Sequence, residues 1–284
     1  MTRHKQVIMG LGWLGSPLAT QLLDCGNSVS GSTRNTEKAQ LLKKEGISTF
    51  FFDLYTSSTN ELNDSYFSNA SLILNIPPGR KHFDPQQFVN KMKELINYAI
   101  KCGVRHIIFI STTAVFGKVL GEVNNLTELS PKTESGNAHA DIERYLRSHA
   151  KSKDLRLDVL RLAGLVDNER HPVHSLAKKN DISLGKNPVN LVHKNDVIKC
   201  IKALLSRKHI TGFSAMNLCS LSHPSRQEYY TWCAKELGIT QPSFTLDDRQ
   251  VADGKWINAK DTLASLALDL DFPSPFDMLY PKKE

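Results

Sequence analysis

The residues best suited to chemistry come first in the chain, in the run Gly10-Leu11-Gly12-Trp13-Leu14-Gly15. The apolar segment Gln6 to Met9 precedes this run, and an amphipathic stretch beginning near Pro17 follows it. Strand, glycine loop and helix in that order make a cradle for a dinucleotide pyrophosphate. Gly10 permits the tight turn, Gly12 lets backbone approach the phosphates, and Gly15 lets the helix pack on the strand. The amino end of the helix, with the backbone of Trp13 and Leu14, then faces the anion with N–H groups. Pro17 fits the first turn, where a missing N–H costs nothing.

The next strand end decides which dinucleotide is expected. An NAD site places an acidic residue about 20 residues beyond the loop to hold the ribose diol. Here that place reads Ser30-Gly31-Ser32-Thr33-Arg34, with hydroxyls followed by a guanidinium. Thr33 and Arg34 suit a 2′-phosphate, which arginine grips bidentately. NADP(H) is therefore expected over NAD(H), although Arg34 can also be read as an ordinary exposed arginine. Asp53 and Leu54 end the third strand, where they can meet the adenine, although a strand-end aspartate is also a common turn former. Ile76 and Pro77, in Asn75-Ile76-Pro77-Pro78-Gly79, are expected beside the nicotinamide ribose.

Such residues need a scaffold, and the hydrophobic rhythm supplies one. Short apolar runs alternate with amphipathic stretches, the pattern of a parallel sheet with crossover helices. The expected strands are Gln6 to Met9, Ser28 to Ser32, Ser48 to Phe52, Ser71 to Asn75, His106 to Ile110, Leu157 to Arg161 and Ser214 to Leu218. Helical spacing marks Pro17 to Cys25, a helix carrying Phe88, Met92, Leu95, Ile96 and Ala99, and another from about Ala138 through Leu146. After Gly164 the rhythm changes: residues 166–194 are polar, Asp196 to Leu205 is helical, and a helix at Ser225 to Leu237 precedes a proline-interrupted stretch and a short helix near Lys260. The reading is an α/β chain with a doubly wound parallel Rossmann sheet and a small mixed C-terminal substrate lobe. Residues 1–165 form the dinucleotide domain, 195–220 return to the sheet, and 166–194 with 221–284 form the lobe.

Composition narrows the partners. The 284 residues carry 36 Lys and Arg against 29 Asp and Glu, a formal charge of +7. That excess is spread along the chain rather than gathered on one face, which argues against nucleic acid and for a few basic groups serving an anionic small molecule. The five cysteines form no CxxC pair and no zinc spacing, so no metal is expected and the thiols read as free in a reducing, cytoplasmic setting. The N-terminus leads straight into a short strand, and no apolar run approaches the roughly 20 residues of a membrane span. The expected partner is a small-molecule substrate, and a homodimer is compatible with everything above.

Four segments together resemble the extended short-chain dehydrogenase/reductase superfamily, the NAD-dependent epimerase/dehydratase group. They are the glycine loop, Ile110-Ser111-Thr112-Thr113-Ala114-Val115-Phe116-Gly117, Leu160-Arg161-Leu162-Ala163-Gly164, and Asn190-Leu191-Val192-His193-Lys194-Asn195-Asp196. His223-Pro224-Ser225-Arg226 looks like a short bacterial branch of it. The loop alone also looks like the β-hydroxyacid dehydrogenases, whose second domain is all-helical and does not fit the strand-rich middle here.

The resemblance implies a catalytic plan. Its Ser/Thr falls on Thr112, with Ser111 before it expected at the cofactor. Its Tyr-x-x-x-Lys pair, aligned through Glu143, falls on Ser135 and His139. Serine is neither acidic nor long enough to replace the tyrosine, and His139 reads either as a proton carrier or as an ordinary helix residue. Tyr145 and His149 lie about 15 Å of helical rise further on, too far to inherit the role. The resemblance puts Arg161, Asn190 and His193 where the substrate cleft is lined or braced, Arg161 as an anion ligand or as a core-edge arginine. His193 and Asp196 are expected to anchor a helix start, where Asn195 or Asp196 is a natural N-cap, while Lys178, Lys179 and Lys186 read as solvated lysines. Function then divides between a reductase- or epimerase-like enzyme acting on a small polar substrate, nucleotide sugars being one candidate class, and a non-catalytic dinucleotide sensor or scaffold.

Overall fold

The computed structural model describes residues 4–79, 83–152, 154–207, 210–246 and 254–279. The first residues of the chain and part of the proline-interrupted stretch, 247–253, lie outside that range. The strands are β1 (Lys5–Met9), β2 (Ser28–Ser32), β3 (Ser48–Phe50), β4 (Ala70–Leu74), β5 (His106–Thr112), β6 (Gly121–Val123), β7 (Arg156–Leu162), β8 (Gly164–Val166), β9 (Leu191–His193), β10 (Gly212–Leu218) and β11 (Lys255–Ile257). The helices are α1 (Gly15–Asp24), α2 (Thr36–Lys44), α3 (Asp64–Phe67), α4 (Pro85–Lys101), α5 (Glu134–Ser148), α6 (Val173–Leu176), α7 (Lys194–Ser206), α8 (Arg226–Glu236) and α9 (Lys260–Leu266).

All the expected strands join one seven-stranded sheet, ordered β10-β7-β5-β4-β1-β2-β3. The order reverses at β1, whose parallel neighbours are β2 on one side and β4 on the other. Ligands of open α/β sheets bind at such a switch point, beyond the carboxyl ends of the strands. The glycine loop leaves β1 there. The expected α/β doubly wound architecture is thus the observed one, with smaller parallel pairs β6–β11 and β8–β9 forming two further sheets.

By its internal contacts the chain divides into two compact units. The first comprises residues 1–115, 131–160 and 201–215, and the second 116–130, 161–200 and 216–284. The first is organised by an apolar core in which Val7, Met9, Leu72, Leu74, Ile107 and Phe109 from the strands meet Phe88, Met92, Leu95 and Ile96 of α4. Helix α4 forms where its apolar residues recur at helical spacing, with Asp84 accepting from Gln87 N at 2.9 Å and a proline in the first turn. The second unit packs Val166, Val173, Leu191, Tyr229, Cys233 and Met278 around α8, whose Ser225 caps it through Glu228 N at 3.2 Å. Among the described residues no helix is long and apolar enough to cross a membrane.

At the amino edge of the large sheet a buried charge ties two strands. Asp158, at 2% side-chain exposure, lies 2.8 Å from His106 Nε2 and 2.7 Å from Arg156 Nε. Arg156 also donates to the Arg207 carbonyl at 2.8 Å. Removing the carboxylate leaves a buried guanidinium uncompensated, which typically costs about 3–5 kcal/mol. Asp158→Ala is therefore expected to lose about that much in urea unfolding while keeping the fold at low denaturant. A loss below about 1 kcal/mol would show that water reaches the site.

Candidate functional site

The glycine loop is built by close approaches within the first unit. Gly10 has φ +107°, and a Cβ placed there would lie 2.5 Å from the Asn75 carbonyl oxygen. A Cβ on Gly15 would lie 2.2 Å from the Gly10 carbonyl oxygen. Both positions need glycine for the fold itself. Gly12 differs, because a Cβ there meets nothing within 4 Å. The bare backbone at Gly12 answers no demand from the chain, and it leaves the space a pyrophosphate would fill.

Hydrogen bonds hold the loop in place. Asn75 Nδ2 donates to the Gly10 carbonyl at 3.1 Å, and Asn75 N donates to Met9 O at 2.9 Å. Gly10 N donates to the Ser32 hydroxyl at 3.0 Å, and Leu11 N donates to Ser32 O at 2.7 Å. Ser32 and Asn75 stand in the two segments expected at the cofactor, but their own role, holding the loop, was not read from the sequence. A buried serine at the end of β2, where a carboxylate would otherwise stand, was the available signal. The start of α1 has no side-chain cap and no acidic residue in its first turn, so its N–H groups and dipole stay disposed toward an anion.

The β2 end brings basic groups to the same edge. Arg34 is exposed and donates to Asp53 Oδ2 at 2.9 Å. Thr33 accepts from Asn35 N at 3.2 Å, and Asn35 caps α2 through Lys38 N at 2.8 Å. That cap orients Lys38, whose Nζ lies 3.4 Å from the Gly12 carbonyl. Lys38 was not singled out from sequence, since α2 has no strong apolar stripe and its lysines look like a solvated face. Leu54 is buried in the core beside Phe52. The Ile76–Pro77 segment is steadied from below, where Tyr55 Oη donates to the Pro78 carbonyl at 2.8 Å.

Strand β5 and helix α5 carry the residues assigned to catalysis. Thr112 is partly exposed and its Oγ1 accepts from Ala114 N at 3.2 Å, which leaves its own proton to donate. Ser111 is buried and gives its hydroxyl to Glu143 at 2.6 Å, so the side chain fastens α5 to the strand. Thr133 caps α5 through Gly136 N at 3.0 Å, several residues before the expected start near Ala138. A Cβ on Gly136 would lie 2.9 Å from the Ala114 carbonyl oxygen, so the helix start runs close under the β5 end. Next to it, His139 is buried with its ring 5.7 Å from Phe109 and 6.0 Å from Phe88, and its Nδ1 donates to the Ser135 carbonyl at 2.7 Å. Burial lowers its pKa, against smaller opposing effects of that carbonyl and of Glu143. It is a neutral ring packed in the core.

In the second unit the assigned residues mostly brace. Arg161 is buried over the Phe116 ring at 5.0 Å and donates to the Asn125 carbonyl at 3.3 Å. Asn190 spends its amide on β11, donating to Lys255 O at 2.9 Å and accepting from Ile257 N at 2.8 Å. His193 is buried against Phe272 with ring centroids 3.7 Å apart, and its Nδ1 accepts from Asn195 N at 3.3 Å. Asp196 does not cap α7 as expected. Its carboxylate accepts from Asp271 N at 2.7 Å and Phe272 N at 3.1 Å, and so pins the C-terminal segment. Lys178, Lys179 and Lys186 are exposed.

Loop, sheet and switch point define a dinucleotide-binding Rossmann protein. Residues 10–208 match the NAD(P)H-binding family, and the chain belongs to that family. It is 31% identical over 278 residues to Protein YeeZ of Escherichia coli strain K12, covering 96% of this chain and 98% of that protein. Among solved structures it is similar to a UDP-glucuronic acid 4-epimerase from Bacillus cereus in complex with NAD, with TM-score 0.80, 17% identity, and 97% and 94% of the two chains covered. A functionally unknown conserved protein from Silicibacter pomeroyi DSS gives TM-score 0.75 at 19% identity over 97% and 96%. The fold is thus one this chain shares with that epimerase and with the Silicibacter protein. The strand-bearing second unit also sets it apart from the all-helical second domain of the β-hydroxyacid dehydrogenases.

The glycines separate folding from binding. Gly15→Ala drives a methyl into backbone and is expected to lose roughly 3 kcal/mol or more. Gly12→Ala places a methyl in open space, so its melting temperature should stay within about 2 °C while dinucleotide affinity falls at least about tenfold. Equal stability losses in the two variants would contradict this division.

Two buried histidines of the second unit, His171 and His193, are each lowered to about 4 by burial. The unfolded chain binds their protons near pH 6.5 and the folded one does not. Their stability contribution is therefore complete above pH 6.5 and is lost as pH falls toward 4. Between pH 7.5 and 5.0 urea unfolding should show a loss of about 2 kcal/mol per histidine. The loss should shrink in His193→Gln, and an unchanged pH slope would remove His193 from the account.

Proposed function

We propose that the protein is an NADP(H)-binding reductase- or epimerase-like enzyme acting on a small polar substrate, with nucleotide sugars as the leading class. The observation that carries this reading is Gly12, whose Cβ position opens onto unfilled space while Lys38 reaches its carbonyl and Arg34 stands at the end of β2. Lys38 and Arg34 would meet the phosphate charge, Arg34 at the 2′ end. The spread of the +7 charge favours a small anionic ligand over nucleic acid. The nucleotide-sugar class draws support from the fold neighbours, one of them a UDP-glucuronic acid 4-epimerase.

When bound, the nicotinamide would exchange a hydride with a substrate carbon. Thr112 would donate its hydroxyl to the substrate oxygen. Ser111 and Glu143 would hold β5 and α5 in register so that Thr112 stays at the strand end.

A second reading, a dinucleotide sensor without turnover, is favoured by His139. Its ring is packed against Phe88 and Phe109 and its Nδ1 proton is engaged, which suits a core residue better than a proton carrier.

Fluorescence titration with NADPH and NADH tests the cofactor. Arg34→Ala and Lys38→Ala should each weaken NADPH by about 10- to 100-fold, the worth of a charge-assisted hydrogen bond. Arg34→Ala should leave NADH within about threefold, and NADH bound more tightly than NADPH by the wild type would sink the NADP(H) assignment. Turnover with a panel of nucleotide sugars and carbonyl compounds, abolished by Thr112→Val, would exclude the sensor. Tight binding without turnover, joined to a protein partner responsive to the NADP+/NADPH ratio, would exclude the enzyme.

A further inference from the structure

Asp53 changes what Arg34 has to offer a ligand. The two are joined at 2.9 Å, yet they differ in setting: 71% of the Arg34 side-chain surface is exposed against 17% for Asp53. The carboxylate is also held from its other side, since Oδ1 accepts from Tyr55 N at 2.9 Å. Its backbone N donates to Ser57 Oγ at 3.0 Å, and its carbonyl accepts from Ser57 N at 2.9 Å. Asp53 is therefore the fixed member of the pair, and Arg34 is the member able to swing. Burial pushes the Asp53 carboxyl up, but the bonds from Arg34 and Tyr55 outweigh it and leave the group below the usual carboxylate range. It carries a full negative charge at neutral pH.

We propose that Asp53 is a cofactor-specificity determinant acting as a built-in counter-ion, which competes with a ribose 2′-phosphate for the Arg34 guanidinium and so limits the preference for NADP(H) over NAD(H). The proposal rests on the 2′-phosphate reading of Arg34. A phosphate approaching Arg34 must take Nη1 from Asp53, or share the guanidinium and lie beside a carboxylate. Sharing is sterically open, because the guanidinium has five N–H donors. It still brings two anions together in a partly desolvated place, where repulsion is stronger than in water. A ribose 2′-hydroxyl makes no such demand and leaves the ion pair intact. An exposed pair is worth only about two- to fivefold in an equilibrium constant. The counter-ion therefore sets a ratio without abolishing phosphate binding. Any contact of Asp53 with the adenine acts on both cofactors alike and cancels in that ratio.

The test compares adenosine 2′,5′-bisphosphate with 5′-AMP, which differ only by the 2′-phosphate, by titration calorimetry. Asp53→Asn keeps an acceptor for Tyr55 N and removes the charge, and Asp53→Ser is a second variant with a shorter side chain. Both should raise the bisphosphate preference about two- to fivefold over wild type. Arg34→Ala should lower it. If Arg34→Ala lowers the preference while both Asp53 variants leave it unchanged or reduce it, the counter-ion role is overturned and the phosphate reading stands. If Arg34→Ala has no effect on the preference, both fall together.

Discussion

The first unit depends on one constraint: three backbone segments meet where β1 ends, with no room for side chains between them. The Asn75 carbonyl sits 2.5 Å from where a Gly10 Cβ would be, and the Gly10 carbonyl sits 2.2 Å from where a Gly15 Cβ would be. Hydrogen bonds from Asn75 and to Ser32 then fix the loop against both neighbouring strands. The helix start is left without a side-chain cap, an arrangement that is costly for a buried helix end and useful for one that meets an anion. Because β1 is where the strand order reverses, the same constraint opens the crevice and furnishes its floor.

Much of this was legible in the sequence. Every strand of the large sheet was expected, most of them from short apolar runs such as β1, β4 and β5, because strands buried on both faces read as continuous hydrophobic segments; β2, Ser-Val-Ser-Gly-Ser, carries a single aliphatic residue. The loop was legible because glycine there is a steric necessity rather than a preference. Short elements were harder. Helix α2 buries only Leu42, so it leaves little apolar periodicity and its Asn35 cap was the better signal. The strands β6, β8, β9 and β11 are each three residues long, below the length at which alternation can be recognised.

Sites made of side-chain partnerships were the least legible part. Nothing in the spacing of Arg34 and Asp53 says that they pair. Asn190 looked like a cleft residue, yet its amide closes on the backbone of β11. Asp196 looked like a helix cap, yet its carboxylate reaches residues far along the chain. In each case a polar side chain at an element end had several local uses, and a distant backbone segment decided among them. A buried backbone N–H must find an acceptor, and a short strand or extended tail without a full ladder takes one from a side chain.

The same reasoning bears on α5. A helix that starts close beneath the β5 end, with Gly136 at the contact, has little freedom in how it presents the residues of its first turns. Given that register, the residue four positions on from Ser135 faces the aromatic core, where an imidazole is tolerated because its Nδ1 proton has a carbonyl one turn back. A lysine ammonium in that setting would need its charge compensated, whereas neutral imidazole needs only the one bond. Ser111 and Glu143 supply the complementary anchor from the strand side. Helix and strand are thus fastened by the Ser111–Glu143 bond and the close approach at Gly136. Thr112, by contrast, is partly exposed at this strand end, and its hydroxyl oxygen accepts only from nearby backbone, Ala114 N.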